Sequence, residues 1–224
     1  MFRLPFTADE FFGVFASYNN AVWPAQIVLT AAAVAALVLI FLKGDRSDRA
    51  ITGFLAVLWA WTGIAYHLAY FSSINRGAYL FGALFVVQAA LFGWMAVRDR
   101  LSFAGRLDAF TVVGGLLILY ALLVYPLLGR ATGHLYPATP TFGAPCPSVI
   151  LTFGLLLFAR GRVPGWLLVI PFVWGIVGLS AVAGLGVLQD IGLFVSAVVA
   201  TPMILVRNRR AAVAAAGEVG APAT

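Results

Sequence analysis

Gly133-His-Leu-Tyr-Pro-Ala-Thr-Pro-Thr-Phe-Gly-Ala-Pro-Cys-Pro-Ser-Val-Ile-Leu-Thr-Phe-Gly154 is the stretch around which the chain is read. It holds one of the two histidines, the only cysteine, and Pro137, Pro140, Pro145 and Pro147. Its first half is too rich in proline and polar residues for a bilayer helix, because each proline removes a backbone donor and fixes φ. It therefore reads as an extramembrane loop that delivers the chain into a helix near Cys146, where proline is tolerated in the first turn. We expect the stretch to form the lid and floor of a site on the non-cytoplasmic face.

Working outward, almost everything else is apolar. The 224 residues are 62% hydrophobic and only 10% charged, with a mean hydropathy of +1.00. A soluble domain is about a quarter charged, so the composition reads as an all-α integral membrane protein. Apolar runs of about 20 residues span a bilayer as helix. We expect seven such spans, at roughly 22–42, 51–73, 77–97, 108–128, 146–160, 165–185 and 188–206. They make a single transmembrane bundle over 1–210, with an extracytoplasmic loop at 129–145. The tail from 211 to 224 is Ala/Gly-rich and expected to be disordered. Met1–Glu10 lacks the basic and apolar regions of a secretory signal. Thr7-Ala-Asp-Glu10 has the form of a capping box, with Phe6 and Phe11 placed as a hydrophobic staple. The aromatic helix that follows, within residues 1–20, is expected to lie on the membrane interface or to pack as a lid.

The net charge of +6 marks loops rather than nucleic-acid affinity, since basic residues stay on the cytoplasmic side of a membrane protein. Lys43, Arg46, Arg49, Arg98, Arg100, Arg106, Arg160, Arg162, Arg207, Arg209 and Arg210 fall at one set of span ends. Only Arg3, Arg76 and Arg130 fall at the other. The N-terminus is thus expected outside and the C-terminus in the cytoplasm of an inner-membrane protein.

A duplication is also expected. Trp23-Pro-Ala-Gln-Ile-Val-Leu-Thr30 resembles Cys146-Pro-Ser-Val-Ile-Leu-Thr152. Trp61 matches Trp174, Ile74-Asn-Arg76 matches Leu188-Gln-Asp190, and Val97-Arg-Asp-Arg100 matches Val206-Arg-Asn-Arg209. In order, these suggest a parallel three-plus-one-plus-three repeat, a plan used by transporters.

Polar residues in spans are expensive and tend to face a cavity. Gln88 and Tyr120 are the candidates for a solute path, with His67 and Asp190 as its titratable groups. Asp190 is also placed to pair with Arg76 or Arg130, or to sit at the start of the last helix. His134, Tyr136, Cys146, Asn19 and Asn20 are the candidates for a gate at the loop. Each has a plainer reading: packing donors for His67 and Gln88, a solvated loop for His134, and a small residue beside a proline for Cys146. His67, His134 and Cys146 are the only metal-ligand candidates, and they lack any diagnostic spacing. No lysine follows Lys43, which excludes a retinal Schiff base. No P-loop, HExxH or GxSxG pattern occurs, so an enzyme is the less expected reading, and the sequence leaves any cofactor unknown.

Leu4-Pro-Phe-Thr7, Tyr18–Gln26, Tyr125-Pro-Leu-Leu-Gly129 and the 133–154 stretch resemble an uncharacterised family of bacterial multi-pass membrane proteins of unknown function. Some of its members are labelled permeases. The resemblance implies a membrane location and no activity. The helix plan is also similar to that of small sugar transporters, but the paired mid-helix prolines are missing here, with only Pro171 available. The expected function is a permease-like transporter of a small solute or ion. The alternative is a non-transport membrane protein that binds a metal or small ligand at its extracytoplasmic face, as sensor, assembly factor or enzyme. The partners expected are the lipid bilayer and a small solute or ion, with no nucleic acid; assembly into a homo-oligomer is compatible with the sequence.

Overall fold

The computed structural model describes residues 4–42 and 44–219. Arg3 and Lys43, both counted in the charge asymmetry, lie outside the described residues, as do 220–224. The α-helices of the described chain are α1 Ala8–Ala21, α2 Ala25–Leu39, α3 Asp45–Trp61, α4 Ala78–Val97, α5 Ala109–Leu119, α6 Tyr125–Ala131, α7 Pro145–Leu157, α8 Val169–Leu185 and α9 Ile191–Val219, and no strand occurs among the described residues. Thr7 and Glu10 cap α1 reciprocally, as the sequence pattern predicts, and Phe6 stacks on Phe11 with centroids 5.9 Å apart.

Five continuous helical runs are long and apolar enough to cross a membrane: Asp45–Ser73, Ala78–Val97, Ala109–Ala131, Gly165–Leu185 and Leu188–Val213. A sixth is reached if α1 and α2, bent by 83° about Trp23-Pro24, count together. The run from α3 continues as a π-helical segment over Thr62–Leu68. The run joining α5 to α6 widens into a π-helical segment over Tyr120–Val124, two residues before Pro126. Pro126 supplies a cause there, because its ring excludes the carbonyl four residues earlier from a regular turn.

The predicted fifth span differs. α7 has 13 residues, about 20 Å of helix, against a hydrocarbon core of about 30 Å. Phe158 turns the chain, and Ala159 bridges to Phe103 instead of extending the helix. Every residue of α7 except Cys146 is buried, so its apolar character reflects neighbours rather than lipid. A helix apolar all round reads identically in the two settings. α9 departs in the other direction, since it stays helical to Val219 where a disordered tail is expected from 211.

Contacts gather at two ends. At one, Arg49 Nε donates to Asp99 Oδ1 at 3.0 Å, and Phe103 N donates to Asp48 Oδ1 at 2.8 Å. There too, Arg207 donates to the carbonyls of Leu157 and Leu156 at 2.9 and 3.1 Å. Of the predicted cytoplasmic set, Arg106 and Arg160 line a recess together with Arg207. At the other end lie the junction of α1 and α2, the 133–144 loop and the starts of α7 and α9. The helices expected to be copies sit in unlike surroundings: α2 packs chiefly on α3, whereas α7 packs on α5, α8 and α9. Their starts differ as well, with Pro24 just before α2 and Pro147 inside the first turn of α7.

Glycine sets the spacing of α5 and α7. A Cβ on Gly114 would lie 2.8 Å from the Gly154 carbonyl oxygen, and one on Gly154 would lie 2.7 Å from Ile118 Cγ1. Backbones approach this closely only where side chains are absent. Gly114→Ala is expected to destabilise by about 1–3 kcal/mol through overpacking. Gly115→Ala meets nothing within 4 Å and should be neutral or stabilising by up to about 1 kcal/mol. Thermal unfolding of both variants in detergent measures the contrast.

Candidate functional site

The 133–144 loop is tied to α1 by two buried side chains, Asn19 and Tyr18. Asn19 Nδ2 donates to the carbonyls of Pro137 and Thr139 at 2.6 and 2.8 Å. Its Oδ1 accepts from the Thr141 hydroxyl at 2.7 Å, and its carbonyl accepts from Gln26 Nε2 at 2.9 Å. Tyr18 donates to the Gly143 carbonyl at 3.2 Å and accepts from Trp61 Nε1 at 2.8 Å. Gly143 has a φ of +95°, and a Cβ there would strike Leu29. These bonds anchor the loop to α1. His134 stacks on Phe12 at 4.2 Å, with its Nδ1 3.1 Å from the Thr132 hydroxyl. Tyr136 is half exposed, its ring edge-on to Trp23. Asn20 is exposed.

Beneath this loop end, a cavity of about 380 Å³ opens between α1, the Thr62–Leu68 segment and α8. Leu4, Phe6, Phe11 and Phe15 cover it. They are held by aromatic contacts, including Phe15 on Tyr66 at 5.0 Å and Phe6 on Phe71 at 5.4 Å. The lid expected of the 133–145 loop is thus made by the N-terminal segment instead. The loop stretch does supply part of the floor, through Pro145 and Cys146.

Three sequence-predicted residues meet in this cavity: His67, Cys146 and Asp190. Asp190 is 1% exposed. Its Oδ1 accepts from the Tyr125 hydroxyl at 2.6 Å, and its Oδ2 accepts from Cys146 Sγ at 3.3 Å. It immediately precedes α9, as expected, but pairs with neither Arg76 nor Arg130. The only ion pair among the described residues is Arg49–Asp99. That pair lies outside the spans' interior, and its hydrogen bond from Arg49 holds the Asp99 carboxyl below the usual range.

His67 is 0% exposed, and neither ring nitrogen has a hydrogen-bond partner. It sits among Phe85 at 4.8 Å, Trp174 at 5.0 Å and Tyr66 at 5.3 Å. The Trp174 indole N–H is also buried without a partner. Buried polar groups are nearly always paired, so the unpaired nitrogens of these two cavity-lining residues are exceptions. The packing-donor reading of His67 is overturned by the same observation.

The expected path residues lie elsewhere. Gln88 Nε2 donates to the Leu167 carbonyl at 3.0 Å, and Tyr120 donates to the Gln189 carbonyl at 2.8 Å; neither lines the cavity. Both fasten helices together. Nor are the metal candidates gathered. His134 stands apart on Phe12, and no group of three or more His, Cys, Asp or Glu side chains among the described residues is placed to hold a metal ion. Sequence reasoning missed Tyr125 and Trp174. Tyr125 offered a signal, as a hydroxyl near the same span end as Asp190.

Tyr125→Phe removes the shorter donor to Asp190 and is expected to destabilise by about 1 kcal/mol or more. His67→Phe removes an unpaired polar group and should leave the unfolding midpoint unchanged or raise it. Parallel melts in one detergent measure the two.

Over residues 8–215 the sequence matches a family of unknown function, DUF6064. No curated protein and no solved structure matches it. The resemblance carried by Tyr18–Gln26, Tyr125–Gly129 and the 133–154 stretch lies within that match, and the chain belongs to the DUF6064 family of unknown function.

Proposed function

We propose that the chain is a multi-pass inner-membrane protein that binds a small, largely apolar molecule bearing one hydroxyl or carbonyl group. The binding site is the cavity of His67, Cys146 and Asp190, and its ligand enters beneath α1. The observation that carries this reading is an otherwise apolar space lined by His67, Cys146, Trp174 and Asp190; the two His67 ring nitrogens lie unpaired just behind its surface, and a turn of the ring presents them to the ligand. Ligand sites are typically apolar clefts of about 300–1,000 Å³ with a few convergent polar groups. An imidazole offers one donor and one acceptor, and the Trp174 N–H adds a donor. A hydroxyl or carbonyl oxygen satisfies them, while the aromatic walls hold an apolar body.

The charge asymmetry supports a cytoplasmic position for the end around Arg49 and Arg207, and an external position for the cavity. The contacts at each end support seven passes, with α7 crossing as a short central helix. The order of passes favours the three-plus-one-plus-three plan; the unlike surroundings of α2 and α7 do not. Transport is the weaker reading, because Gln88 and Tyr120 are engaged in helix packing.

The test is thermal stabilisation of purified protein by 1-octanol and 2-octanone against n-octane. The polar compounds should raise the midpoint and octane should not, with the difference lost in His67→Phe. At a concentration of about 100 times Kd the gain is roughly 2.7 kcal/mol. Equal responses to all three compounds, or an unchanged difference in His67→Phe, would refute the reading.

A further inference from the structure

A second recess lies at the opposite, basic end of the bundle. It is small, about 40 Å³, and Arg106, Asp108, Phe110, Arg160 and Arg207 line it. Three arginines and one aspartate therefore line the same recess. That carboxylate is already engaged, since Asp108 Oδ1 accepts from Thr111 N at 2.9 Å as the cap of α5. Arg207 is fixed by the Leu156 and Leu157 carbonyls and lies 5.5 Å over the Phe110 ring. Its Nε is buried and has no partner. The side chains of Arg106 and Arg160 make no hydrogen bond or ion pair among the described residues. The recess thus has an excess of positive charge, with one guanidinium held in place by backbone carbonyls and two exposed arginines whose side chains are free of hydrogen bonds.

We infer that this recess binds a phosphate group. Guanidinium forks match phosphate oxygens in both geometry and charge. The dimensions suit a single such group, not a nucleotide. Two sources supply that chemistry: the phosphodiester of an anionic lipid and a free phosphate. Leu107 bears on the choice. It adjoins Arg106, and its side chain is fully exposed, placing an apolar group where acyl chains would lie if the phosphate belonged to a lipid. Basic recesses between helices on the cytoplasmic side are suited to lipid head groups. The site shares no residue with the aromatic cavity, so it stands or falls independently of the ligand proposed there.

The experiment is a melt of the purified chain in a neutral detergent with dioctanoyl-phosphatidylglycerol, dioctanoylglycerol or inorganic phosphate. Phosphatidylglycerol is expected to stabilise and dioctanoylglycerol not to. An Arg106→Ala, Arg160→Ala double variant should bind the stabilising compound at least tenfold more weakly. An Arg98→Ala, Arg100→Ala double variant removes the same charge from the same end and should respond as the wild type does. Stabilisation by inorganic phosphate equal to that by the lipid, and lost in the first variant only, supports the site with a free anion as its ligand. Equal effects of the two lipids, no stabilisation by either phosphate compound, or equal losses in the two double variants would overturn the inference.

Discussion

A short helix buried on every side has to leave none of its end groups stranded, and the rest of this molecule is arranged around that requirement. α7 has no solvent at either terminus to satisfy the four orphan N–H and four orphan C=O groups of a helix. Its sequence removes part of the problem. Pro145 and Pro147 have no N–H, so two of the donors in its first turn do not exist, and Ser148 N reaches the Ala144 carbonyl at 3.3 Å. At the far end, Arg207 takes the Leu156 and Leu157 carbonyls, and Ala104 N takes that of Phe158 at 3.0 Å. Pro-Cys-Pro is thus the chemistry of a buried helix start. Cys146 is held between the prolines, its sulfur turned to Asp190.

The shortness of α7 has a second consequence. A helix of about 20 Å leaves space at the loop end of a bundle in which five continuous helical runs have 20 residues or more. Two segments occupy that space: the 133–144 loop, fastened by Asn19, and the aromatic face of α1. What they do not fill is the cavity. Its floor is the first turn of α7 together with Asp190, and its roof is Leu4, Phe6, Phe11 and Phe15. The cavity is therefore a product of the same feature that requires the prolines.

Much of this was legible in the chain. Apolar runs located the helices, because burial in lipid and burial in protein both demand apolar side chains. The capping box at Thr7–Glu10 was legible because it is purely local. Which helices are enclosed was not, since hydropathy cannot distinguish the largely exposed α8 from the buried α7. Of the site residues, His67, Cys146 and Asp190 stood out as rare polar groups near one end, and they do converge. His134 and Tyr136 shared that end and not the cavity, because depth along the membrane axis says nothing of direction around it. Tyr125 was missed for a related reason: a tyrosine near a span end is ordinary at an interface, and only the fold turns its hydroxyl onto a carboxylate.

The contrast between Asp190 and His67 separates what holds the site from what it presents. Both are buried, and both line the same cavity. Asp190 receives two donors from within the protein, so it fastens α6, α7 and α9 together through Tyr125 and Cys146. His67 receives none, although the π-helical turn of Thr62–Leu68 places it among aromatic rings that cannot satisfy it. An unpaired buried polar group is destabilising by about 1–3 kcal/mol. A leucine or phenylalanine would fill the same space without that penalty. The chain carries the penalty at a residue that lines the cavity, and under the function proposed above its partner arrives from outside the fold.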